Sequence, residues 1–117
     1  MKKILVVDDE PLIRRSLSRV FADKGHEVRT SEDGTKGLEE WRHYQPDIVF
    51  LDVQMPGLTG PQVIAEIGAS HKSKVILMSA YSGTAPEKFN IKYDLFLSKP
   101  FEDIFKIVEI AERLFYG

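Results

Sequence analysis

The sequence predicts an α/β fold: five short parallel strands in a doubly wound sheet with helices on both faces. Three observations predict it. Short apolar runs alternate with segments of helical period along the 117 residues, the pattern of βα units joined by right-handed crossovers. The run Ile48 to Leu51 is continuously apolar rather than alternating, as a strand covered on both faces requires. Four of the runs end on polar groups: Asp8-Asp9, Asp52, Ser79 and Lys99-Pro100. The C-terminal ends of parallel strands share one sheet edge, so groups separated by as many as 91 residues should meet there.

Strand 1 covers about Lys3 to Val7. The first helix starts near Pro11, a good first-turn residue, carries Ile13, Leu17, Val20 and Phe21 on one face, and ends at Gly25. Strand 2, His26 to Thr30, is half polar and belongs at an edge. The second helix runs from about Gly34 to Tyr44 with Leu38 and Trp41 inward; Gly34 and Gly37 each weaken it by up to about 1 kcal/mol relative to alanine. Pro46-Asp47 leads into strand 3, and Met55 to Gly60 is a loop on turn chemistry. The third helix starts at Pro61 with Val63, Ile64 and Ile67. Strand 4 is Lys74 to Met78, and Tyr81 to Lys92 holds at best a short helix around Pro86 to Ile91. Strand 5 is Asp94 to Leu97, and the last helix runs from Phe101 to about Phe115.

One domain over residues 1–117 is the natural count, with an apolar fraction of 43% to fill one core. With no cysteine, disulfides, thiolate metal sites and thiol nucleophiles are excluded, which suits a cytoplasmic protein. A net charge of −2 argues against bulk electrostatic binding to DNA or to an anionic membrane. The first apolar stretch is too short for a signal-peptide core, and no window approaches the roughly 18 apolar residues of a membrane span.

Asp8, Asp9 and Asp52 should lie within a few ångströms of one another at the sheet edge. Two such charges at 4 Å repel by roughly 1 kcal/mol in water and about 4 kcal/mol at an effective dielectric of 20. A hard divalent cation relieves that repulsion, and magnesium takes one or two carboxylates plus phosphate oxygens. A carboxylate beside such an ion can attack phosphorus, giving an aspartyl phosphate. Lys99 supplies further charge, Ser79 a hydroxyl for a phosphoryl oxygen, and Gly57 and Gly60 a slim loop for a partner to approach.

These residues resemble the receiver domain of two-component response regulators. The likeness rests on Val6-Val7-Asp8-Asp9-Glu10, Leu51-Asp52-Val53-Gln54-Met55-Pro56-Gly57, Met78-Ser79-Ala80 and Ser98-Lys99-Pro100-Phe101, spaced by 43, 27 and 20 residues between Asp9, Asp52, Ser79 and Lys99. The resemblance implies a flavodoxin-like sheet of order 2-1-3-4-5. It implies Asp52 as phosphoacceptor, fed by a phosphohistidine on a sensor kinase or phosphotransfer protein. It implies magnesium (or manganese) on Asp9, Asp52 and the backbone carbonyl of Gln54, with Asp8 acting through water. Ser79 and Phe96 would form the switch, Lys99-Pro100 would be cis, and Gln54 and Tyr81 would tune the lifetime of the phosphoryl group. It also implies that the chain promotes only its own phosphotransfer and dephosphorylation.

Departures from the family pattern are the short interval from Ser79 to Lys99 and Ile91-Lys92-Tyr93 before strand 5. They bear on the face formed by the short helix, strand 5 and the last helix, where a homodimer mate or effector protein is expected. The last helix also has a wide apolar arc, with Phe105, Ile107, Ile110 and Leu114 beside Ile104, Val108, Ala111 and Phe115.

Other readings stand beside this one. Asp8 and Asp9 could end a strand and cap a helix. An aspartyl-phosphate hydrolase would want an acid two residues past Asp52, where Gln54 stands. A pseudo-receiver would take no phosphate. A nucleotide-binding domain would want a glycine-rich loop after strand 1, where Asp8-Asp9-Glu10 would repel phosphates. His26, His43 and His71 read as surface or edge residues, and Arg14, Arg15 and Arg19 as a solvated helix face with Pro11, Leu12 and Ser16 at its docking end.

Overall fold

The computed structural model describes residues 1–80 and 92–116. Its elements are β1 (Lys3–Val7), α1 (Pro11–Asp23), β2 (Glu27–Ser31), α2 (Gly34–Tyr44), β3 (Ile48–Asp52), α3 (Gly60–Ile67), β4 (Lys74–Ser79), β5 (Leu95–Ser98) and α4 (Ile104–Tyr116). The expected short helix around Pro86 to Ile91, and Tyr81, lie outside the described residues. The strands form one parallel sheet of order β2-β1-β3-β4-β5, so the half-polar strand is at an edge as its composition requires.

The pleat divides the apolar runs into two cores. Successive side chains of a strand point to opposite faces. Ile4 and Val6, Ile48 and Phe50, and Ile76 and Met78 pack with Leu17 and Phe21 of α1 and Ile107, Val108 and Ala111 of α4. Leu5 and Val7, Val49 and Leu51, and Val75 and Leu77 pack with Leu38, Trp41 and Tyr44 of α2 and Val63 and Ile64 of α3. On β5, Leu95 and Leu97 join the first core and Phe96 the second. Between their ends the central strands are therefore continuously apolar, because each inner position faces a helix.

Helix ends are set by caps. Asp33 accepts from the Lys36 amide at the start of α2. Thr59 and Gln62 form a capping box, which places the start of α3 at Gly60. The expected start of the last helix at Phe101 is corrected to Ile104. Asp103 turns the chain there: its side chain accepts from the Phe105 amide and its carbonyl from the Lys106 amide. The wide apolar arc of that helix is mostly used by the core. Ile107 is buried and Leu114 packs on the first core, leaving Phe105 71% exposed.

Gly34 and Gly37 are not simply weak points of α2. A Cβ on Gly37 would lie 2.5 Å from Val7 Cγ1, and one on Gly34 would lie 1.7 Å from the Leu58 carbonyl oxygen. The Gly34 amide also donates to the Pro56 carbonyl at 3.1 Å. Missing side chains thus let α2 sit against β1 and against the loop that follows β3.

Candidate functional site

The same alternation that splits the core assigns the polar strand ends. Asp8 continues the series Ile4, Val6; Asp52 continues Ile48, Phe50; Lys99 continues Leu95, Leu97. All three leave the sheet on the α1/α4 side. Ser79 continues Val75, Leu77, and with Phe96 it belongs to the set on the opposite side. Register places Asp52 opposite Met78, Phe96 opposite Leu77, and Ser79 opposite Ser98.

Asp8 is fully buried and held at every oxygen. Its Oδ1 accepts from the Glu10 amide at 2.9 Å, its Oδ2 from Lys99 Nζ at 2.9 Å, and its carbonyl from the Arg14 guanidinium at 2.7 Å. Its amide donates to Ser31 of the neighbouring strand at 3.1 Å. Lys99 Nζ also lies 2.7 Å from Glu10 Oε1 and 3.4 Å from Asp52 Oδ2. Carboxylate oxygens of Asp8, Glu10 and Asp52 all lie within 4.8 Å of one another. Asp9 is exposed, yet its charge is felt at Asp52. Ser79 is buried, Phe96 is half-buried, Gln54 is exposed in the loop after β3, and the Lys99–Pro100 peptide is cis.

The electrostatics follow from this crowding. Burial pushes the Asp52 carboxyl up to about 7, and the charges of Asp8 and Asp9 add to the shift while Lys99 opposes it. Burial alone would lower Lys99, but hydrogen bonds to Glu10 and Asp8 and the charge of Asp52 hold it above the ordinary lysine value. One ammonium faces three carboxylates, so the rim carries excess negative charge. An all-oxygen donor set of this charge fits a hard divalent cation such as magnesium.

The structure brings Asp8, Asp52 and Lys99 together as the sequence reading expects; the third carboxylate of the group is Glu10 rather than the expected Asp9, and two residues take roles that reading did not give them. Glu10 closes the carboxylate group; its acidic neighbours were the available signal. Arg14 is half-buried and fixes the turn after β1, which corrects its assignment to a merely solvated face. Gly60 is also corrected as a point of partner approach. It is buried, and a Cβ there would lie 2.5 Å from the Asp52 carbonyl oxygen, so it closes the loop on itself. Gly57 has φ +76 and sits beside Thr35.

The histidines stand apart. His43 is exposed, and His71 lies edge-on to Trp41 with its Nδ1 accepting from the Ser73 amide. His26 is no surface residue: its side chain is 6% exposed, accepts from the Lys2 amide and pairs with Glu112 of α4 at 2.9 Å.

Comparison with known proteins places this geometry. A family model for the response regulator receiver domain matches residues 4–112. Regulatory protein AtoC of Escherichia coli is 36% identical over 106 residues, covering 87% of this chain and 23% of that protein. The DNA-binding response regulator MtrA of Mycolicibacterium smegmatis is 28% identical over 115 residues, covering 97% of this chain and 50% of that protein. The chain therefore spans half or less of the length of these curated relatives. Among solved structures, response regulator TrrA of Thermotoga maritima, in complex with Mg2+-BeF, is 36% identical with a TM-score of 0.85, covering 97% of this chain and 99% of that one. Chemotaxis protein CheY4 of Vibrio cholerae is 28% identical with a TM-score of 0.84, covering 97% and 98%. Sheet order, the acidic rim and similarity along nearly the whole length lead to one conclusion: the chain belongs to the response regulator receiver domain family, a family of signalling modules.

Proposed function

We propose that this protein is the phosphoacceptor of a two-component or phosphorelay system, taking a phosphoryl group from a phosphohistidine onto Asp52. The observation that carries the reading is the meeting of Asp8, Asp52 and Lys99 at one rim although they come from three separate strand ends. Asp52 is the nucleophile: a carboxylate oxygen bonds to phosphorus as the bond to the donor breaks. Lys99, 3.4 Å from Asp52, offers a cation to the added oxygens. Asp8, Asp9, Asp52 and the Gln54 carbonyl would hold magnesium or manganese, with Glu10 facing the same space. When bound, that ion supplies charge neutralisation for the carboxylates and the phosphoryl oxygens.

The readout we propose is a switch through Ser79 and Phe96, which share the register parity opposite to Asp52 and Lys99. Phosphorylation adds about −1.5 to −2 charge and three acceptor oxygens. Ser79 moves to one of these, and Phe96 takes the space released. Gln54 and Tyr81 would set the lifetime of the adduct. The donor would be a sensor histidine kinase or histidine phosphotransfer protein. Output would pass through a homodimer or effector on the face of β5 and α4. The MtrA relative is a DNA-binding regulator, but this domain, over residues 1–117, would itself bind no DNA. Among the described residues no helix is long and apolar enough to cross a membrane, and we assign the protein to the cytoplasm.

The test is fluorine NMR with magnesium and beryllofluoride. The reading expects bound fluoride signals in the wild type, their loss in Asp52→Asn, and, in a proton–nitrogen spectrum of the same sample, shifts in the Ser79 and Phe96 amide resonances. A wild type without bound signals favours a pseudo-receiver. Steady phosphate release over many turnovers from acetyl phosphate favours a hydrolase, against which Gln54 argues by offering no acid for the leaving group.

A further inference from the structure

Glu10 occupies the N-cap position of α1, yet its side chain makes no capping hydrogen bond. Asp33 and Thr59 at the corresponding positions of α2 and α3 do cap their helices. The Glu10 carboxylate instead reaches across the rim to Lys99, with Oε1 2.7 Å from Nζ. Among the described residues that is the shortest of its contacts with a carboxylate, against 2.9 Å to Asp8 and 3.4 Å to Asp52. Glu10 is also the outermost of the three acids, its side chain 55% exposed where Asp8 and Asp52 are 0% and 5%.

An ammonium has three protons to donate. Two of those on Lys99 serve hydrogen bonds to Asp8 and Glu10, and the third faces Asp52 at 3.4 Å, so none is spare. A phosphoryl group joined to Asp52 needs Lys99 for its new oxygens. Asp8 is sealed in and held by the Glu10 amide, so the partner that Lys99 can give up is the Glu10 carboxylate at the solvent side. A donor entering from solvent also meets that carboxylate first.

We propose that Glu10 restrains Lys99: it is a positioning residue that competes with the incoming phosphoryl group for the ammonium, and so slows phosphorylation of Asp52 by small anionic donors. The inference rests on Asp52 being the phosphoacceptor. With acetyl phosphate, an Asp52 carboxylate oxygen forms the bond to phosphorus and the bond from phosphorus to the acetyl oxygen breaks. Acetate leaves with the electron pair, and no proton or electron is exchanged elsewhere. Glu10 takes no part in these bonds and acts only through Lys99.

The test compares wild type, Glu10→Gln and Glu10→Asp. The phosphorylation rate at saturating magnesium is followed by intact mass with acetyl phosphate, and the magnesium Kd is measured separately by calorimetry. Glu10→Gln should react about two- to fivefold faster at saturating magnesium, the scale of losing one exposed ion pair. Glu10→Asp keeps the charge but is one methylene too short for the contact, and it should also be faster. A Glu10→Gln protein no faster than wild type overturns the inference. A slower one with weakened magnesium binding also overturns it, and makes Glu10 an ion ligand. Glu10→Gln faster with Glu10→Asp unchanged overturns the link to Lys99. Wild type that takes no phosphoryl group overturns the phosphoacceptor reading and this one together, whereas wild type that does so beside an unaltered Glu10→Gln overturns this one alone.

Discussion

Lys99 Nζ lies 3.4 Å from Asp52 Oδ2, and both side chains are almost sealed from water, 6% and 5% exposed. A nearby cation would ordinarily pull a carboxylic acid down. Here burial and two neighbouring aspartates outweigh it, and Asp52 sits at about 7 instead of 3.8.

That shift fixes a pH dependence of stability. The folded acid binds its proton more tightly than the unfolded one, so folding is favoured below the unfolded value and the advantage fades as pH rises through the folded value. Without divalent cations, thermal stability should fall between about pH 4 and pH 7 and level off above it. Asp52→Asn should remove the part of this slope that Asp52 contributes and be more stable than wild type at pH 8. Millimolar magnesium should restore stability at pH 8 in wild type and much less in Asp52→Asn. Calorimetric melts across pH, with and without magnesium, check all three outcomes.

Removing the cation should do the opposite. Lys99→Met leaves Asp8, Glu10 and Asp52 facing one another, and loss of one partner from a buried ion pair costs about 3–5 kcal/mol. We expect a loss at the lower end of that range at pH 8, because Glu10 is exposed. The loss should shrink toward pH 5, where Asp52 can take a proton. Urea unfolding at the two pH values measures both.

Gly37 sets helix propensity against packing. Propensity alone favours Gly37→Ala by about 1 kcal/mol. The added Cβ would meet Val7 Cγ1 at 2.5 Å, and overpacking of a filled core costs about 1–3 kcal/mol. Packing should win, making Gly37→Ala less stable by up to about 2 kcal/mol net. The cost should be smaller in a Val7→Ala background, a coupling that a double-mutant cycle in denaturant resolves.

His26 ties the start of the chain to α4 through the Lys2 amide and Glu112. Its removal takes a hydrogen-bond partner from the half-buried Lys2 amide and the half-buried Glu112 carboxylate, worth about 1 kcal/mol. His26→Ala should lose stability on that scale while leaving magnesium affinity unchanged. Chemical denaturation and calorimetric titration of the same protein separate the two.

The sheet and the central site were legible for one physical reason: period-2 burial and strand-end position are local properties. The bounds of β1 and α2, and the convergence of Asp8, Asp52 and Lys99, follow from short apolar runs and where they stop. What escaped depends on chain brought from far away. His26 is buried because Glu112 stands 86 residues on, and Gly37 is obligatory because Val7 lies beneath it. Arg14 has the spacing of an exposed helix face, and only the turn after β1 shows why it bends back to the Asp8 carbonyl. Glu10 was in view within the acidic run, but its partner became visible only when β5 delivered Lys99.

The most direct test of phosphoryl capture is intact mass after incubation with magnesium and acetyl phosphate, followed by peptide mapping of the adduct. We predict one phosphoryl group per chain, located at Asp52, dependent on magnesium and absent in Asp52→Asn. An adduct at another residue, or none under conditions where the protein is folded and binds magnesium, would contradict the account.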